Sequence, residues 1–203
     1  MKKVYIVNGN KQYSDLFRNV GWLITDMLHE ANLVCFTGGE DVTPSFYGDA
    51  PHMHTHNNVH RDRDEKIIFD VCTHDKVPMV GICRGGQFLN VMSGGRMYQH
   101  VSGHGGAHSI IDARTGETVL ATSTHHQMMM PSPEAILVAS STLGGTREWY
   151  DHEIFRRDVS KEDIEVVYYP ETKALCFQPH PEFNGYASLK EYFHSLIKEF
   201  LHV

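Results

Sequence analysis

The sequence predicts a single α/β domain spanning residues 1–203, on three observations. Short apolar runs of strand length alternate with stretches of helical periodicity. One such run passes through a glycine-flanked cysteine directly into a helical segment. And a chain of 203 residues is long enough to bury a core without disulfide staples.

The elements follow in chain order. Val4–Val7 is a first strand and Leu33–Phe36 a second, the latter ending in Thr37-Gly38-Gly39. Residues 63–75 read as a helix: Ile67, Ile68, Val71 and Cys72 form its apolar stripe, and Asp62 with Glu65 has capping-box spacing. Pro78 marks its end. Met79–Ile82 is a buried strand, and residues 84–92 form a helix stopped by Gly94-Gly95. Val119 onward, Ala135–Ala139, Ile164–Tyr169 and Ala174–Gln178 supply further strands. Ser188 to Glu191 is a second capping box, and Leu189, Phe193, Leu196, Ile197 and Phe200 stripe a closing helix. Residues 48–61 and 101–118, rich in Gly, His and polar side chains, are expected to be loops.

Composition excludes several function classes. Lys and Arg number 18 against 25 Asp and Glu, a formal charge of −7, which disfavours a nucleic-acid partner because phosphate neutralisation needs clustered cations. No apolar run approaches the roughly 18 residues of a membrane span. The N-terminal apolar run stops at Val7, too short for a signal peptide. Cys35, Cys72, Cys83 and Cys176 show no C-x-x-C spacing, so free thiols and a cytoplasmic location are expected. Neither a Walker A sequence nor G-x-G-x-x-G occurs, and no cofactor is expected.

The most informative segment is Gly81-Ile-Cys83-Arg-Gly85, set between strand and helix. It is a G-x-nucleophile-x-G elbow with Cys in the place of Ser. A turn this sharp leaves no room for neighbouring side chains, which accounts for the two glycines. It also sets the thiol at a helix N-terminus, where partial positive charge and free N–H groups favour thiolate. The N–H of Arg84 then points to where an oxyanion forms. Cys35, Cys72 and Cys176 lie in apolar settings and read as small core residues.

A thiolate nucleophile calls for a His, and that His for a carboxylate. Phe177-Gln-Pro-His180-Pro-Glu182 offers both, two residues apart, between prolines that hold the backbone extended. Alone, His-x-Glu specifies little. Joined to the elbow, it points to Cys83, His180 and Glu182 as a catalytic set.

Gly-Ile-Cys83-Arg-Gly-x-Gln followed by His180-Pro-Glu182 resembles the class I glutamine amidotransferases, and within them the γ-glutamyl hydrolase (peptidase C26) branch. Further pieces are similar to that branch: Thr37-Gly-Gly-Glu-Asp-Val-Thr-Pro-Ser-Phe-Tyr47-Gly, Arg61-Asp-Arg-Asp-Glu65, Gly94-Gly-Arg-Met-Tyr-Gln99 and Ser123-Thr-His-His-Gln127. The resemblance implies a flavodoxin-like three-layer sandwich with a mostly parallel central sheet. It implies a γ-glutamyl substrate, a Cys83–His180–Glu182 triad, and an oxyanion hole made by the N–H groups of Gly39 and Arg84. It also implies that Gln87, Ser123, His125 and Gln127 contact substrate. The function expected is thiol-dependent hydrolysis of a γ-glutamyl amide through a thioester on Cys83.

Two other classes compete. A glutaminase subunit could supply ammonia to a separate synthetase chain, since 203 residues leave no room for a synthetase domain. A non-enzymatic thiol sensor on the same fold carries an elbow Cys but pairs it with other acid and His positions. The alternating His52, His54, His56 and His60 could share a face in extended chain, yet the spacing matches no standard zinc module, so no metal is expected. His104 and His108, set among glycines, read as loop residues in the same way.

Overall fold

The computed structural model describes residues 1–203. The first half alternates strands and helices: β1 (Lys3–Val7), α1 (Lys11–Arg18), β2 (Leu23–Ile24), β3 (Leu33–Phe36), α2 (Val59–Asp75), β4 (Met79–Ile82) and α3 (Arg84–Met92). The second half is mostly strand: β5 (Arg96–Tyr98), β6 (His100–Val101), β7 (Gly105–Asp112), β8 (Thr118–Thr124), β9 (Met128–Met130), β10 (Ile136–Ser141), β11 (Gly145–Asp151), β12 (Ile154–Ser160), β13 (Asp163–Tyr169) and β14 (Ala174–Phe177). Helix α4 (Ala187–Leu201) closes the chain.

Nine strands form the central sheet in the order β2-β1-β3-β4-β14-β13-β10-β7-β8. From β2 to β14 neighbours run parallel, and from β14 to β8 they run antiparallel. In the parallel part, β3, β4 and β14 are buried at every residue, because helices cover both faces. One face packs Leu16 and Phe17 of α1 and Leu189, Phe193 and Leu196 of α4. The other packs Phe69 and Cys72 of α2 and Phe88 and Leu89 of α3. The α/β expectation and the three layers are therefore present. A smaller sheet of order β12-β11-β6 and the pair β5/β9 stand beside this body.

Three local expectations are corrected. Helix α2 starts four residues early, at Val59, and its cap is Asn58, whose Oδ1 accepts from the Arg61 N–H at 3.2 Å. Asp62 is not the cap but a fully buried residue of the first turn, with a different partner described below. Helix α4 begins at Ala187 with no side-chain cap, so the Ser188 box is not used. Residues 101–118 are not a loop, since β7 pairs with β8 from Gly105 to Ile111. The buried face of β7 carries His108, Ile110 and Asp112, and polar residues at inward positions hide the alternation that marks a strand. Helix α1, only eight residues long, was also not anticipated.

Candidate active site

The end of β4 and the start of α3 meet at Cys83, whose backbone has φ 52° and ψ −115°. An L-residue at positive φ costs on the order of 1–3 kcal/mol and is held only by its surroundings. The surroundings are tight. A Cβ on Gly81 would lie 2.3 Å from the Gly85 carbonyl group, and one on Gly85 would lie 2.1 Å from the Phe36 carbonyl oxygen. The Cys83 N–H donates to the Phe177 carbonyl at 2.8 Å, tying the turn to β14.

His180 follows β14 and reaches the same place. Its Nδ1 lies 2.6 Å from Glu182 Oε1. A carboxylate oxygen accepts, so Nδ1 carries the proton and Nε2 faces the other way. The backbone N–H of His180 donates to Thr122 Oγ1 at 2.6 Å, and the ring stacks on Phe183 with centroids 4.5 Å apart. The segment is a turn rather than the extended chain expected from its prolines: the Phe183 N–H returns to the His180 carbonyl at 3.3 Å. Burial lowers the His180 pKa, but interaction with Cys83 and then with Glu182 outweighs it and raises the value to about 10. Gly38 lies between the partners, since a Cβ there would stand 3.2 Å from His180 Cε1 and 3.7 Å from Cys83 Cβ.

The match to known families decides the assignment. Residues 21–143 match the family model described as peptidase C26, more than half of the chain. The chain belongs to the class I glutamine amidotransferase-like family, peptidase C26.

His180 and Glu182 lie beyond the matched span of this family. Over 180 residues the chain is 31% identical to a Mycobacterium tuberculosis protein named provisionally as a glutamine amidotransferase, covering 78% of this chain and 52% of that one. It thus spans about half the length of that relative. It is 31% identical over 110 residues to the chloroplastic carbamoyl phosphate synthase small chain of Oryza sativa subsp. japonica, covering 53% of this chain and 21% of the other. In three dimensions it resembles a glutamine amidotransferase from Thermotoga maritima with a TM-score of 0.62 at 16% identity, covering 99% of this chain and 84% of that one. That likeness establishes the flavodoxin-like fold of the family.

The remaining family-implied residues gather around Cys83. A cleft of about 170 Å³ is lined by Gly39, Cys83, Arg84, Gln87, His125 and Gln127 among others. Ser123 is not in its wall, because its hydroxyl donates to the His104 carbonyl at 2.8 Å. Gly39 has φ +148°, and a Cβ there would strike Arg61 Nη1 at 2.0 Å. Arg61 Nη2 also donates to the Gly38 carbonyl at 3.0 Å. In a trans peptide the N–H lies opposite the C=O, so the Gly39 N–H points away from Arg61. Arg84, the first residue of α3, has an N–H without an intrahelical acceptor.

The walls are polar. Gln87 Nε2 donates to the Gln127 carbonyl and to Gln178 Oε1, each at 3.1 Å. Gln178 Nε2 in turn faces Cys83 Sγ at 3.7 Å. The Gln127 side-chain amide is buried with neither of its polar atoms partnered. Burial, then the neighbouring His104, pushes the His125 pKa down to about 3.

Several contributors were not singled out from sequence. Tyr13 accepts the Gly38 N–H at 3.0 Å, and Thr122 receives His180. Neither sits in a motif. The Arg84 side chain turns away from the cleft, its guanidinium held by Asp62 and Glu65 in the core. Those two acids belong to the Arg61–Glu65 motif, whose spacing signals a helix entry and not this ion pair. The His52–His60 run converges only in part: His52 and His54 lie with ring centroids 5.2 Å apart and both stand against His100, His52 Nε2 pairs with Glu148 at 3.3 Å, and His56 faces the cleft. No helix is long and apolar enough to cross a membrane.

Proposed function

We propose that the chain is a thiol-dependent hydrolase of γ-glutamyl amide bonds, with Cys83 as nucleophile, His180 as acid and base, and Glu182 as its orienter. One observation carries the reading: a strained elbow cysteine and an imidazole fixed at 2.6 Å by a buried carboxylate both stand against Gly38, whose added Cβ would lie 3.7 Å from Cys83 Cβ and 3.2 Å from His180 Cε1. The Cys83 sulfur attacks the side-chain carbonyl carbon of the substrate. The N–H groups of Gly39 and Arg84 receive the oxyanion. The C–N bond breaks as His180 gives its proton to the leaving amine, leaving a γ-glutamyl thioester on Cys83. A water then loses a proton to His180, attacks the thioester and releases glutamate, returning the thiol. A cleft of about 170 Å³ falls below the roughly 300–1,000 Å³ of sites for larger ligands, which suits an amino-acid-sized acyl group.

The similarity to a synthase small chain favours a second reading, in which ammonia freed at Cys83 passes to a synthetase partner. One experiment separates the two. The protein alone is incubated with glutamine and a panel of γ-glutamyl amides, with Cys83→Ala as blank, and glutamate and amine are measured. Turnover of a γ-glutamyl amide by the wild type alone is expected. Turnover only of glutamine, rising when a synthetase is added, selects the second reading. Full activity in Cys83→Ala rejects both.

A further inference from the structure

Beside the cleft, on the antiparallel half of the sheet, lies a second cluster. His104 precedes β7, His125 follows β8 and Glu165 lies in β13, and one ligand-type atom from each falls within 4.8 Å of the other two. All three residues are more than nine-tenths buried, at 5%, 7% and 0% exposure. His104 Nδ1, His125 Nε2 and Glu165 Oε2 have no hydrogen-bond partner. Leaving one such buried group unsatisfied costs about 1–3 kcal/mol, and three in one place call for a common partner.

The opposite atom of each group is engaged. His104 Nε2 meets Asp163 Oδ2 at 3.1 Å. His125 Nδ1 meets the Gln127 carbonyl oxygen at 2.8 Å. Glu165 Oε1 meets His108 Nε2 at 2.7 Å. Carboxylate and carbonyl oxygens only accept, so each contacting imidazole nitrogen carries a proton. In the neutral ring the other nitrogen then holds a lone pair. Two nitrogen lone pairs and a carboxylate oxygen are therefore left without a partner in one buried cluster, where a cation would offset their mutual repulsion. Imidazoles backed by a carboxylate or a carbonyl are also the usual outer sphere of a metal centre.

We propose that His104, His125 and Glu165 bind one divalent transition-metal ion, zinc by preference, with a fourth position left for water. Two imidazoles and one carboxylate are a donor set that zinc takes readily. Tetrahedral ligand atoms at about 2.0–2.2 Å from zinc stand about 3.3–3.6 Å apart, so the three groups close by about an ångström on binding. A surface cavity of about 380 Å³ lined by Gly103, His104, Gly105 and His125 supplies an entry path. The ion would fasten β7, β8 and β13 together and hold the His125–Gln127 wall of the cleft. Glu165 also connects to the elbow, since its backbone carbonyl accepts the Gln178 N–H at 2.8 Å and the Gln178 side chain faces Cys83.

The test uses untagged full-length protein, stripped with a chelator and reloaded with zinc or cobalt. About one equivalent of zinc per chain is expected, with a strong visible cobalt spectrum of tetrahedral type. Asp163→Asn should still bind but about 10–100-fold more weakly, as loss of an outer-sphere partner does. His104→Ala and Glu165→Gln, shown by circular dichroism to be folded, should lose the cobalt spectrum. If either variant fails to fold, zinc raising the melting temperature of stripped wild type in proportion to occupancy serves as the readout. Stripped wild type that takes up neither metal overturns the proposal. So does binding that persists in both folded variants, as a site in the His52–His60 run would give.

Discussion

Arg61 and Arg84 are bound to opposite oxygens of one carboxylate, that of Glu65. Arg61 Nε reaches Oε1 at 2.8 Å, and Arg84 Nη1 takes Oε2. Arg61 also holds the Gly38 carbonyl, while Arg84 belongs to the elbow itself. The two amides proposed to receive the oxyanion, on separate strands' ends, are thus braced against a single side chain. Asp62 completes the enclosure of Arg84. Glu65→Gln leaves Arg84 buried with one acid fewer, and loss of a buried partner costs about 3–5 kcal/mol. The expected outcome is that fall in stability on urea unfolding, with a drop in kcat larger than any change in KM. Wild-type stability with unchanged kcat would show that the brace is idle.

The elbow predicts a split between two variants of the proposed nucleophile. Cys83 sits at φ 52°, where glycine alone is unstrained. Cys83→Gly should therefore be more stable than Cys83→Ala by about 1–3 kcal/mol, although both lack the sulfur. Thermal unfolding of the pair reads this directly. Equal stability would mean that the backbone relaxes once sulfur is gone.

Gly39→Ala should be damaging without touching a reacting side chain. The new Cβ meets Arg61 at 2.0 Å and the residue stands at φ +148°, so the peptide must rotate and carry its N–H off target. Loss of one oxyanion donor costs about 10²–10³ in kcat. A kcat within a few-fold of wild type would remove Gly39 from that role.

Glu182→Gln keeps the shape beside His180 but loses the charge and allows the wrong tautomer. A comparable change in a serine protease triad lowers kcat by about 10⁴. A loss of several orders of magnitude is expected here, read from single-turnover release of amine. An effect under ten-fold would make Glu182 a packing residue.

The pH dependence has a definite sign. His180 has its folded pKa raised to about 10, against an ordinary value of 6.5, because Cys83 and Glu182 outweigh burial. A proton held more tightly in the folded state stabilises it. That contribution is complete below about pH 6.5 and is lost as pH rises towards 10. Wild type should therefore lose stability over this window relative to His180→Gln, which has no such proton. Activity should fall on the same alkaline limb, as the acid proposed to protonate the leaving amine disappears. Parallel stability curves for the two proteins would refute the shift.

Much of this was legible in the sequence because it is local. The Gly81–Gly85 spacing stands for backbone crowding that occurs within five residues, and β4 and β14 read as strands because both faces are apolar. His180 and Glu182 were found two residues apart. What stayed hidden lies across the chain. Thr122 comes to the His180 amide from 58 residues away, and Tyr13 meets Gly38 over 25. Strand β7 was masked for a different reason. Its inward positions include His108 and Asp112, so a hydrophobicity pattern reports loop where the structure has buried sheet. An acid such as Asp62 at a helix start suits a cap, and only the distant Arg84 reveals its use.

The crowding at the elbow has an evolutionary consequence. At Gly81 and Gly85 the obstructing atoms are main-chain atoms, of Gly85 and of Phe36. No replacement of a neighbouring side chain can make space for a larger residue there, so no second mutation rescues a first. The floor of the cleft is closed to exploration while the surrounding fold lasts. Its walls include the side chains of Gln87 and Gln127, where no main-chain atom imposes the same limit. Descendants of this chain that acquire a new acyl group or a new leaving amine are expected to differ from it at the walls, with an unaltered turn beneath them.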